Sequence, residues 1–174
     1  MRDEVLFTVY RKKAFTLIEL IIFLALLGVV LAIGYRLFFF GQRAFAVGSD
    51  QFQLQSEIRK AGDFIIDEVR NATEIDIINT PFFAQTGYGY IYLHDSKIVY
   101  EYSGGTRDIT DSLLKDEDVF SIRKDSGNRN FLCIDMTGTL NGNSYNLSTE
   151  ILLKNVVNKS PQSGKVIKYK KLMP

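Results

Sequence analysis

Tryptophan is absent from the chain, histidine and cysteine occur once each (His94 and Cys133), and proline occurs three times, never before Pro81. A single cysteine excludes an intrachain disulfide, so packing alone has to hold the fold. Cys133 falls in the apolar run "NFLCIDM", where a buried, inert thiol is expected rather than a reactive one. One histidine and one cysteine cannot supply the usual zinc or iron ligand sets, and no cofactor or metal is expected. No glycine-rich phosphate loop is present either, since "TGYGYI" lacks the spacing and the following helix. His94 stands between two strand-like runs, a turn position without a convergent acid or nucleophile. An enzyme is therefore not expected. Lysine and arginine number 21 against 20 acidic residues, and a net charge of +1 excludes a whole-molecule attraction to nucleic acid.

The most consequential absence is local. From Leu20 to Tyr35, "LIIFLALLGVVLAIGY", there is no charge at all. With Ala14 to Ile18 before it and Leu37 to Phe40 after it, the apolar segment reaches about 25 residues, enough for a helix to cross a hydrocarbon core of ~30 Å. Arg11, Lys12 and Lys13 directly precede it, which places the N-terminus in the cytoplasm and the rest of the chain outside. One carboxylate, Glu19, lies inside the run, where membrane burial costs a few kcal/mol. A secretory signal cut after Ala44-Phe45-Ala46 does not fit, because the apolar segment is too long and Arg36 and Arg43 fall before the cut. A plain uncleaved anchor, tethering an extracytoplasmic binding or sensory domain, leaves Glu19 with nothing to do but snorkel toward the headgroups.

Basic residues, a small residue and then "FTLIEL" opening an apolar helix resemble the class III signal of type IV prepilins and pseudopilins. The resemblance implies a cut on the cytoplasmic side between Ala14 and Phe15 by a prepilin peptidase. It also implies N-methylation of Phe15 and retention of the apolar helix in the mature protein. Ala14 stands where the family usually has glycine. Glu19 then meets the new α-amine of a neighbouring subunit, a buried pair that fixes register better than it adds stability. The helix dipole alone favours a first-turn carboxylate by only ~0.3–1 kcal/mol. The implied partners are other pilin or pseudopilin subunits, the peptidase, the membrane and an assembly platform. The expected role is a minor pilin or a J-type pseudopilin-like subunit of a type IV pilus, competence pilus or type II secretion pseudopilus. DNA binding is disfavoured.

The fold class expected is α+β, with a long N-terminal helix laid on an antiparallel sheet. Residues 1–14 form the leader, 15–40 the transmembrane and assembly helix, 41–79 an amphipathic continuation of that helix, and 80–174 a β-rich extracytoplasmic domain. Gly34, Gly41 and Gly48 mark places where the helix can loosen. Ile58, Ala61, Ile65, Val69, Ala72 and Ile75 recur every three or four residues and extend the helix to about Ile78. Beyond it, hairpins are expected around His94–Lys97, Asp125–Arg129 and Asn141-Gly142, giving five strands in meander order. Tyr88, Tyr90 and Tyr92 are expected to pack across strands against Tyr100 and Tyr102. The carboxylates Asp108, Asp111, Asp116, Glu117 and Asp118 read as a solvated loop, because calcium-loop spacing is absent. The lysines of "KVIKYKK" read as the guard of an edge strand or as a frayed end.

Overall fold

A computed structural model describes residues 15–79, 85–102, 105–111, 113–156 and 159–171. It divides into two compact units that meet at Phe45 and Ala46. One helix, α1 (Leu17–Val69), contributes to both. Gly34, Gly41 and Gly48 all lie inside α1, and none interrupts it.

In the second unit α1 has a buried stripe of Leu54, Ile58, Ala61, Ile65 and Val69. These positions recur at the helical period, and each is removed almost entirely from water. Two antiparallel sheets receive them. The first has the order β1-β9-β2-β3-β4 and the second β7-β6-β5-β8. In chain order the strands are β1 (Ala72–Ile78), β2 (Gly89–His94), β3 (Lys97–Tyr102), β4 (Gly105–Asp108), β5 (Phe120–Lys124), β6 (Asn130–Leu140), β7 (Asn143–Leu152), β8 (Gln162–Gly164) and β9 (Val166–Lys171).

The helix ends at Val69, earlier than the apolar spacing predicts, and residues 72–78 form a strand. The cause is a bulge. Ala72 pairs with Lys171 and Glu74 with Lys170, so Thr73 is an extra residue on the β1 side. A regular strand returns to the same face every two residues; the bulge makes the step three, and Ala72 and Ile75 both reach the core. A bulged strand after Val69 therefore continues the three-residue rhythm of the helix.

Three tight turns form where their residues require. Asp95 and Ser96 both take positive φ in the two-residue turn that pairs His94 with Lys97. Asn141 and Gly142 do the same between β6 and β7. Between β5 and β6, Asp125 Oδ1 accepts the backbone N–H groups of Gly127 and Arg129, both at 2.9 Å. The tyrosines, however, do not pack across the β2–β3 hairpin as expected. Ile91 is opposite Tyr100, and Tyr90 is opposite Glu101, so Tyr90 and Tyr92 lie on one face and Tyr100 and Tyr102 on the other. Tyr100 meets the helix instead, edge to face with Phe64 at 5.2 Å between ring centroids.

The meander is also corrected. β9 is an interior strand, hydrogen-bonded to β1 on one side and β2 on the other. Its lysines are occupied: Lys171 pairs with Glu68 at 2.7 Å, and Lys168 bonds Gln85 and lies 4.2 Å from the Tyr88 ring centre. Lys165 and Lys159, just before it, pair with Asp116 and Asp76. Three lysines of the basic C-terminal segment thus face carboxylates within the fold. Asp108 likewise pairs with Lys97 at 2.8 Å. Cys133 is buried, and burial pushes its thiol pKa up, in keeping with an inert role.

Close approach of helix to sheet explains two glycines. A Cβ on Gly138 of β6 would lie 2.6 Å from Ile58, 2.8 Å from Leu54 and 3.1 Å from the Leu113 carbonyl oxygen. A Cβ on Gly62 would lie 2.7 Å from Leu147. At the other end of the packed helix, Glu68 accepts hydrogen bonds from Tyr169 and Tyr100 and faces Lys171. This cluster fastens the last turn of α1 to β3 and β9.

Candidate assembly segment

The first unit owes its character to the order of residues in Phe15-Thr-Leu-Ile-Glu-Leu20. Helix α1 begins at Leu17, not at Phe15. Thr16 is the cap: its Oγ1 accepts the backbone N–H of Glu19 at 3.3 Å, and its carbonyl accepts that of Leu20 at 3.2 Å. Threonine at the cap with glutamate three residues on is the capping-box sequence, and Glu19 is the acidic residue of the first turn. Phe15 and Leu20 flank the cap at the positions of a hydrophobic staple, and with Phe23 they line one small apolar recess of about 290 Å³. The sequence reading passed over this capping arrangement, although the signal, T-x-x-E before an apolar run, was there.

From Phe15 to Phe45 every side chain is exposed, including Phe15 and Phe45, both at 78%. Water is no stable neighbour for such a surface, which is many times larger than the apolar patches soluble monomers carry. By length and composition α1 can cross a membrane. Within that surface Glu19 is exposed and, among the described residues, its carboxylate faces no cation. The segment can therefore do two things: enter a bilayer, and offer one uncompensated carboxylate to something outside this chain.

Of the residues singled out from sequence, Phe15 and Glu19 are brought together at the start of α1, on either side of the Thr16 cap. Arg11, Lys12, Lys13 and Ala14 lie outside the described residues. Ala44-Phe45-Ala46, the alternative cut, is helical.

Residues 10–35 match the family model of the prokaryotic N-terminal methylation motif. The fold is similar to that of a mutant of the PilB minor pilin from Streptococcus sanguinis, with a TM-score of 0.53 and 17% sequence identity over 69% of this chain. The N-terminal motif and the fold are thus each similar to what pilins carry. The chain spans about a third of the length of that structure, 34%. No curated protein matches it. An apolar N-terminal helix carrying such a motif fits anchorage in the inner membrane.

Proposed function

We propose that this protein is a pilin, a minor subunit of a type IV pilus, a competence pilus or a type II secretion pseudopilus. Prepilin peptidase removes the leader between Ala14 and Phe15, the new α-amine of Phe15 is N-methylated, and the segment 15–40 stores the subunit in the membrane. Arg11, Lys12 and Lys13 hold the leader in the cytoplasm, and the β-rich domain lies outside. An assembly platform then extracts the subunit into a filament, where Glu19 pairs with the Phe15 amine of a neighbour.

The observation that carries this reading is the lone exposed carboxylate of Glu19 in the first turn of an exposed apolar helix. Its cap hydrogen bond uses the Glu19 backbone N–H and leaves the charge itself without a partner among the described residues. The membrane cost of a few kcal/mol exceeds the ~0.3–1 kcal/mol the helix dipole returns, so docking to a cation is favoured. Replacing Glu19 with alanine is expected to leave leader cleavage intact while lowering the amount of subunit recovered in sheared filaments. Normal incorporation would remove the role given to Glu19.

A further inference from the structure

One run of residues belongs to both sheets. Only Lys165 separates β8 from β9, so residues 162–171 form an edge of the second sheet, against β5, and then an interior strand of the first, between β1 and β2. Among the described residues, β1 is joined to its sheet through β9 and no other strand. The joint between β8 and β9 is held on three sides. The Lys165 backbone N–H donates to Asn79 Oδ1 at 3.2 Å, its carbonyl accepts the Leu93 N–H at 3.0 Å, and its Nζ lies 2.6 Å from Asp116. Just before the joint, Gln162 Oε1 accepts the Ile77 N–H at 3.0 Å. A Cβ on Gly164 would run into Asn79 Oδ1 and stand 3.0 Å from the Ile78 carbonyl oxygen, so glycine lets the run pass this close to the end of β1. Beyond the joint Ile167 and Tyr169 are buried, and Tyr169 and Lys171 reach Glu68 in the last turn of α1.

The pairings of β9 join residues far apart in the chain, such as Ala72 with Lys171 and Ile91 with Ile167, whereas β5–β6 and β6–β7 are hairpins closed by short turns. Closing a long loop costs entropy before its contacts return anything, so the local pairings form first. The helix also meets β6 and β7 without help from the run, since Ile58 and Leu54 pack at Gly138 and Leu147 packs at Gly62. We propose that residues 162–171 are a strap that closes the domain last, over a platform of α1, β5, β6 and β7, and that opens before that platform does. The strap follows every other described element of the domain in chain order. With the N-terminus held in the cytoplasm, it is the last of these elements to leave the membrane, and the first sheet stays incomplete until it has. Closure of the strap therefore makes completion of the fold wait for export of the whole domain. That order of export rests on the topology in the proposed function, while the strap itself stands on the pairings.

The test is hydrogen exchange of the full chain in detergent micelles, read by mass spectrometry on proteolytic fragments. β9 and β6 are both interior strands, so position in a sheet alone predicts similar protection for them. Backbone amides of β1 and β9 are expected to exchange at least about tenfold faster than those of β6 and of α1 from Leu54 to Gly62, because a segment that opens by itself is less protected than one that opens only with the whole domain. Gln162→Ala removes the acceptor of the Ile77 N–H and should speed the first set several-fold while leaving the second unchanged. One common rate for both sets, or an equal acceleration of both in Gln162→Ala, would overturn the strap. The N-terminal mass of the same samples separates the two claims: uniform exchange with a processed Phe15 terminus sinks the strap alone, and an uncut terminus with the two-rate pattern sinks the pilin reading alone.

Discussion

Glu19 has two jobs available to it, and one substitution separates them. As the third residue of a helix capped by Thr16 it stands at the acidic position of the capping-box sequence, a position that glutamine fills as well as glutamate. As the partner of a neighbour's amine it has to be charged. Glu19→Gln is therefore expected to preserve the start of the helix and still reduce filament incorporation about as much as Glu19→Ala. Thr16→Ala should do the reverse, loosening the first turn by ~1 kcal/mol with the carboxylate intact. Quantifying subunit in sheared filaments for the three variants decides it, and wild-type incorporation by Glu19→Gln would reduce Glu19 to a cap. The carboxylate stood out in the sequence because charge is otherwise missing from Leu20 to Tyr35. The cap did not, because a threonine in an apolar run draws attention only once the helix is known to begin beside it.

At the scale of elements, the contact of α1 with β6 is set by Gly138, which admits Ile58 and Leu54. Gly138→Ala should destabilise the folded domain by about 1–3 kcal/mol, read as a lower urea midpoint, because one obstacle is a backbone carbonyl that cannot rotate away. At the end of the helix, burial works to raise the Glu68 pKa, but hydrogen bonds from Lys171 and Tyr169 outweigh it and hold the carboxyl below its ordinary 4.5. A lowered carboxylate pKa stabilises the fold above the unfolded value and loses that stabilisation as pH falls through the folded one. The domain should accordingly weaken on acidification below about pH 4.5, and Glu68→Gln should flatten that acid limb while costing about 1–3 kcal/mol at neutral pH. An unchanged acid limb in chemical denaturation would assign the transition to other carboxylates. The hairpins were legible because their turns need positive φ, which Asn141-Gly142 advertises. β1 was not, since the Thr73 bulge imitates helical spacing. β4 and β8 have four and three residues and no apolar side chain, and the lysines of β9 look like an exposed edge until Glu68, Gln85 and Tyr88 are placed beside them.

The whole molecule separates into a segment with no core and a domain with one. Phe15 to Phe45 exposes all of its apolar side chains, whereas the core of the second unit draws on α1 and on both sheets. A chain beginning at Ala46 is expected to fold as a monomer with a cooperative thermal transition, since every buried helix residue from Leu54 to Val69 is retained. Loss of cooperativity in circular dichroism, or association in sedimentation, would show that the domain depends on what precedes it. The long apolar helix was readable almost completely from composition, because span length and charge are sequence properties. The arrangement of two sheets was not, because it depends on pairings between residues nearly a hundred positions apart, such as Ala72 with Lys171.

The N-terminus of the protein recovered from cells that contain an active prepilin peptidase is the most direct test of leader cleavage before Phe15. Intact mass and terminal sequencing of that protein should give an N-methylated Phe15, with Met1 through Ala14 removed. A chain that still begins at Met1, or one that begins at Val47 after the Ala44-Phe45-Ala46 site, would contradict it.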